Sequence, residues 1–364
     1  AAKFTTCEKC HSVAYCSDAC LHEYGQRHAE HECAHMRNLK EMVGHISKTD
    51  REAPDDLAEI ASHVITALSA LRTHHPDMDL LKSLDDHSDE VTHTLGPVVP
   101  LICDLLAFED RRLVQRLCGI TRCNAIQVSD KSGLGVGQVI FGGFASRFNH
   151  SCTPNAALDA DARVIRAIRP IGNDQEVTIS YTPQLYLPRE TRRRVLSERY
   201  YFTCRCHSCV YSATTPGSDA AIVEALLTGI FAGGRTDAEA YFRPRAMALA
   251  ENARAADVSD VSTDTLGEIK EYTATVEKHC LPTHYLLQEL RNAAVFAASV
   301  LGSKSDVAKF AQQEAWLWEL LVPGALPVKA DKLRNWLLAT EESTDEETQT
   351  ARPLVATACE FYST

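Results

Sequence analysis

Cys7-Glu-Lys-Cys10 opens a run that continues through Cys16-Ser-Asp-Ala-Cys20 to His28 and Cys33. Thiolates and imidazoles are the ligands zinc prefers, four to an ion in a tetrahedron, and short ligand pairs supply them at small entropic cost. A second sulfur run, Cys204-Arg-Cys206-His-Ser-Cys209, lies far downstream. Between them stand Phe148-Asn149-His150-Ser151-Cys152-Thr153-Pro154-Asn155 and Val177-Thr178-Ile179-Ser180-Tyr181, and Tyr200-Tyr201-Phe202 leads into the second run. A tyrosine hydroxyl can both donate and accept a hydrogen bond, and an imidazole, an amide and neighbouring aromatic rings add groups able to hold a polar ligand.

Cysteine usage favours metal over disulfides. Of the 14 cysteines, five lie within residues 7–33 and three within 204–209. Disulfide frameworks belong to short secreted chains, whereas this one has 364 residues and no secretory signature. Cys103, Cys118, Cys123, Cys280 and Cys359 sit mostly in apolar surroundings and read as small buried hydrophobes. The chain begins Ala-Ala-Lys, so further residues are expected upstream. A formal net charge of −12 disfavours nucleic-acid binding through phosphate contacts, and suits a basic, lysine-rich peptide. No apolar run approaches the ~20 residues that cross a bilayer, so no membrane partner is expected.

The elements that must position these residues follow from periodicity. Residues 36–122 read as helical, with apolar i, i+3, i+4 spacing in Leu57–Leu71 and Val98–Leu117 and a polar loop at Asp85–Glu90. Over 124–181, Gly133, Gly135, Gly137, Gly142 and Gly143 punctuate short strands at Gln138–Phe141, Arg163–Ile168 and Glu176–Tyr181, with Gly135-Val-Gly137 read as a turn. Residues 189–201 form an arginine-rich helix. Its Arg189–Arg194 cluster reads as a solvated face or as partners for the acidic C-terminal half. After Gly217 the pattern is helical, with breaks near 243, 282, 302 and 323–327 and a solvated acidic run at Glu341–Thr348.

In this order and spacing, the motifs resemble those of the SMYD family, MYND-finger-containing SET-domain lysine methyltransferases. The resemblance covers residues 7–33 and 124–209. It implies an α+β fold: a β-rich SET core with an inserted MYND zinc finger, a helical insert and an all-α C-terminal domain. The implied boundaries are 1–35 for the finger, 36–123 for the insert, 124–185 for the C-terminal part of the SET core, 186–214 for a post-SET zinc loop and 215–364 for the helical domain. Tyr181 takes the catalytic position. Asn149 and His150 match residues that hold S-adenosylmethionine, Phe202 one that stacks on it, Tyr200 a channel-wall aromatic, and Asn124 an upstream cofactor contact.

The same resemblance implies three zinc sites. Cys7, Cys10, His28 and Cys33 would hold one ion, with His31 as rival to His28. Cys16 and Cys20 would share another with an upstream pair, and Cys152 would join Cys204, Cys206 and Cys209 around the last. Two departures stand out. Asp174 replaces a turn glycine, which Asp tolerates in a left-handed conformation. The early Gly-x-Gly loop that contacts the cofactor is not found, and is expected upstream. The implied activity is methylation of lysine on a histone or other protein, in the cytoplasm or nucleus and with chromatin among the targets. The alternative is a catalytically silent adaptor whose MYND finger binds proline-containing partner peptides.

Overall fold

The computed structural model describes residues 5–15, 17–49, 57–76, 78–96, 98–129, 135–139, 145–159, 164–255, 258–321 and 327–340. Cys16, Gly133, Gly142, Gly143, Cys359 and the acidic run 341–348 lie outside them. The chain divides into two compact units, the first of residues 1–126, 138–147 and 198–201, the second of 127–137, 148–197 and 202–364.

The first unit begins with strands β1 (Thr5–Thr6) and β2 (Ala14–Tyr15), which pair antiparallel. Helix α1 (Asp18–His31) follows, and the Ser17 side chain caps it by accepting the Cys20 N–H at 3.1 Å. Then come α2 (Cys33–Thr49), α3 (Leu57–Arg72), α4 (Met78–Lys82), α5 (Ser88–Leu95), α6 (Val98–Leu106) and α7 (Arg111–Asn124). Ile60, Val64, Leu68, Leu95, Ile102 and Leu117 converge in one apolar core that also takes in Cys10 and Cys33. Gly119 is required in α7, because a methyl group there would collide with the Asp86 carbonyl.

The periodicity over Val98–Leu117 runs through a break. Ala107 adopts a left-handed φ of 47°, and Asp110 restarts the helix by accepting the Leu113 N–H at 3.0 Å.

Strands β3 (Ile126–Ser129) and β4 (Gly135–Val139) form a two-stranded ribbon, so Gly135-Val-Gly137 is strand rather than turn. In the second unit, β5 (Asn149–His150) lies parallel to β8 (Thr178–Ile179), a pair that β6 (Ala156–Asp159) and β7 (Val164–Ala167) separate in sequence. β6 and β7 pair antiparallel, Ala156 opposite Ala167.

Helices α8 (Arg189–Tyr200), α9 (His207–Thr214), α10 (Asp219–Thr228), α11 (Ala238–Ala255), α12 (Thr263–Val276), α13 (Tyr285–Val300), α14 (Lys304–Leu321) and α15 (Pro327–Ala339) follow. No break occurs near 243: Pro244 sits inside α11. Buried Phe242, Ala246 and Ala250 hold that helix against its neighbours and override the lost hydrogen bond. Among the described residues the molecule is mostly helical with few, short strands, and no helix is long and apolar enough to cross a membrane.

Candidate active site and metal centres

In the second unit, two short strands and a cysteine-rich loop build the site. Backbone pairing of β5 with β8 continues through Ser151 N–H to Ile179 O at 2.9 Å. Asn155, buried to 1% exposure, then closes the loop with its side chain. Its Nδ2 donates to Glu176 O and its Oδ1 accepts from Thr178 N–H, each at 2.8 Å. The preceding turn survives with Asp174 in the left-handed region at φ 62°.

Four sulfurs converge beyond this loop. The Sγ atoms of Cys152, Cys204, Cys206 and Cys209 all lie within 4.8 Å of one another, with Cys152 and Cys209 3.6 Å apart. A tetrahedral ion with bonds of about 2.3 Å to sulfur separates its ligands by about 3.8 Å, so the donor set fits zinc. Hydrogen bonding to Cys152 holds the Cys204 thiol well below its usual range and the Cys206 thiol down at about 5. Cys152 is pushed up, chiefly by its hydrogen bond with Cys204. Four thiolates cannot share this volume without a cation, and binding one must release protons.

A buried cation already faces the quartet. Arg192 is 3% exposed, donates to the Leu187 carbonyl and lies 3.6 Å from Glu224. Burial alone would lower its pKa; the neighbouring Cys152 sulfur, Glu224 and Cys209 raise it instead. Arg189 donates through Nε to the Cys209 carbonyl at 2.6 Å. Two of the clustered arginines therefore serve the sulfur centre rather than a solvated face, and Arg192 also meets an acidic partner of the C-terminal half in Glu224. Charge compensation of this kind carries no sequence signature beyond the i, i+3 spacing of Arg189 and Arg192.

Beside the sulfurs, His150, Tyr181 and Phe202 form an aromatic cluster. The His150–Tyr181 ring centroids are 5.4 Å apart, and Phe202 lies 6.1 Å from each. His150 is buried, while Tyr181 and Phe202 are half-buried. The Tyr181 hydroxyl donates to Phe148 O at 2.7 Å, and its backbone N–H to His150 Nδ1 at 3.0 Å. Asn149 is exposed and donates its amide to Glu176 at 2.6 Å. This patch offers an anchored hydroxyl, an aromatic face and an accessible amide, groups suited to an amine and to a cofactor with an aromatic base and an amino-acid end.

Two of the expected cofactor contacts lie in the first unit. The Asn124 amide donates to the Asp85 and Ile120 carbonyls at 2.8 and 2.9 Å. Tyr200, the last residue of α8, is buried, and that burial raises its hydroxyl pKa.

The first unit holds a second group of side chains that could bind a metal ion. Cys7, Cys10, His28 and Cys33 place their ligand atoms within 4.8 Å of one another. Cys7 and Cys33 are 3.7 Å apart, and Cys10 Sγ is 3.4 Å from His28 Nε2, so this donor set also fits a tetrahedral ion. The Cys7 thiol is held down at about 6: burial opposes the shift, and hydrogen bonds from the Cys10 and Lys9 backbone outweigh it. Burial and the Cys7 sulfur push Cys33 up to about 11.

His28 Nδ1 meets Glu32 at 3.2 Å, a carboxylate in position to fix the ring with Nε2 toward the sulfurs. Glu32 was not singled out from the sequence, although His28 and Glu32 at i, i+4 on a helix mark such a pair. His31 is instead 3.8 Å from Glu30. Cys20 is half-buried and joins neither group among the described residues.

Comparison with known proteins agrees with this architecture. The SET domain family model matches residues 11–182, ending just past Tyr181. N-lysine methyltransferase SMYD2 of Mus musculus is 30% identical over 224 residues, covering 60% of this chain and 49% of that protein. N-lysine methyltransferase SMYD2-B of Danio rerio is 27% identical over 221 residues, covering 56% and 47%. Histone-lysine N-methyltransferase ASHR1 of Arabidopsis thaliana is 26% identical over 221 residues, covering 56% and 43%. The chain carries a SET domain. The chain spans about half the length of the curated relatives it matches.

Proposed function

We propose that the protein is an S-adenosylmethionine-dependent protein-lysine N-methyltransferase. The observation that carries this reading is the clamped phenol of Tyr181 beside His150, Phe202 and the exposed amide of Asn149. When bound, S-adenosylmethionine supplies an electrophilic methyl carbon on a sulfonium sulfur. Asn149 and the backbone around His150 would hold its amino-acid and adenine ends, Phe202 would stack on the base, and Asn124 and Tyr200 are assigned further contacts by family resemblance.

The residues of this chain orient the acceptor. Tyr181 commits its hydroxyl proton to Phe148, so its oxygen faces an incoming amine as an acceptor. Accepting one amine N–H turns the nitrogen lone pair along the transfer direction, which is where positioning lowers the barrier. The lysine arrives neutral, having lost one proton to solvent. With S-adenosylmethionine bound, the neutral amine held at Tyr181 would take up the methyl group, and the ammonium so formed would release a proton to solvent before any further transfer.

Zinc held by Cys152, Cys204, Cys206 and Cys209 would be structural, since four thiolates leave no open position. The N-terminal centre reads as a MYND finger, with Cys16 and Cys20 contributing to a further ion. A proline-containing partner peptide of that finger belongs to the same proposal. The domain boundaries at 35, 123, 185 and 214, the β-rich SET core, the all-α C-terminal domain and a cytoplasmic or nuclear setting belong to the same proposal. Labelled methyl transfer from S-adenosylmethionine to a panel of lysine-containing proteins tests it. The wild type should label at least one protein and Tyr181→Phe should not; no transfer by the wild type, with cofactor bound, would favour the silent adaptor instead.

A further inference from the structure

We infer that the imidazole of His150 is a positioning residue that links the sulfur centre to Tyr181. This role rests on the proposed methyltransferase reading but differs from a cofactor contact, because it belongs to the ring and not to the backbone. A continued parallel ladder between β5 and β8 would hand the Tyr181 N–H to the Ser151 carbonyl. Instead, the chain turns toward Cys152, and His150 Nδ1 takes that N–H at 3.0 Å. The ring replaces a missing rung.

The protonation pattern of the ring follows. A backbone nitrogen can only donate, so Nδ1 must carry no proton. The ring proton then sits on Nε2, which lies 3.3 Å from Cys152 Sγ. An N–H···S bond to a metal-ligating thiolate orients the ligand and is itself strengthened by the charge on sulfur. Both ends of Tyr181 are thus clamped by residues 148–150, the hydroxyl by Phe148 O and the amide by His150. Any shift of Cys152, such as loss of its ion, passes through one rigid ring to the backbone that aims the phenol.

Nuclear magnetic resonance on the full zinc-loaded chain, with ring nitrogens labelled, reads the tautomer directly. His150 should show a protonated Nε2 and an unprotonated Nδ1; a proton on Nδ1, in either charge state, would overturn the inference. Two variants separate the ends. Gln at 150 can place a donor where Nε2 sits but no acceptor near Tyr181 N–H, whereas Asn can place an acceptor where Nδ1 sits but no donor reaching Cys152. Amide exchange at Tyr181 should accelerate about tenfold in H150Q and remain near wild type in H150N. Equal exchange rates in wild type and H150Q would refute the clamp.

In the transfer assay H150Q should lower kcat about tenfold, with KM for S-adenosylmethionine within about twofold. A rise in KM alone would make His150 a cofactor contact only. If the wild type transfers no methyl group, the methyltransferase reading fails while the tautomer and exchange measurements still decide the linkage. The tautomer needs no variant, so a misfolded substitution leaves the test intact.

Discussion

The hydroxyl of Tyr181 donates to the carbonyl of Phe148, 33 positions earlier in the chain, at 2.7 Å. That bond fixes the phenol, so Tyr181→Phe should remove an oriented oxygen while leaving the ring's packing against Phe202 in place. We expect kcat to fall on the order of 100-fold and unfolding stability to change by about 1 kcal/mol. Steady-state kinetics and denaturant titration of the same preparation would check both.

Cys206→Ala should lower the metal content by one equivalent, because three sulfurs remain where four close the site. The segment around Cys152 and the one leading into α9 then lose their common anchor, and cofactor affinity should fall along with stability. Metal analysis and calorimetry on folded mutant protein measure this directly; unchanged affinity with one ion missing would show that the sulfur centre does not shape the site.

Arg192 is buried against the thiolates, and Arg194, two residues on, is exposed. Arg192→Leu should cost about 3 kcal/mol, the size expected when one member of a buried charge pair is removed. Arg194→Gln should cost no more than about 0.5 kcal/mol. Equal effects in chemical denaturation would return both arginines to the surface role.

Glu32→Gln should weaken metal binding at the Cys7–Cys10–His28–Cys33 centre by roughly tenfold or more, since the amide holds the His28 ring less firmly than a carboxylate. Competition with a coloured chelator reads the change. His31→Gln should leave it unaltered.

His284 caps α13, its Nδ1 accepting the Leu286 N–H at 3.2 Å, and it is 1% exposed. Burial lowers its pKa from 6.5 to about 4, against the opposing pull of Glu239. The unfolded chain therefore takes up a proton below pH 6.5 that the folded chain refuses until about pH 4. Stability should fall as pH drops through that window, by roughly 3 kcal/mol in all from this residue. His284→Asn keeps a cap and should flatten the fall; an unchanged pH profile by denaturant titration would exclude His284 as its source.

The two groups of sulfur and imidazole side chains were legible because such residue types are costly to place without purpose. Cys204, Cys206 and Cys209 with Cys152, and Cys7, Cys10 and Cys33 with His28, each form a group within 4.8 Å. The left-handed turn at Asp174 was readable for the same kind of reason, a residue type tied to a backbone conformation. Tertiary packing hid the rest. Pro244 continues a helix because buried neighbours hold it, and Arg192 turns inward because four sulfurs need a counter-charge. The break at Ala107 is masked in the sequence by apolar spacing that runs across it, although Asp110 is an ordinary capping residue.

The most direct test is the affinity of the chain for S-adenosylmethionine, measured by titration calorimetry on wild type, Asn149→Ala and Phe202→Ala with metal content held equal. One-to-one binding by the wild type, weakened at least about tenfold in each variant, is the expected result, the scale of losing one well-placed contact. Wild-type binding that neither substitution alters would place the cofactor elsewhere and contradict the site.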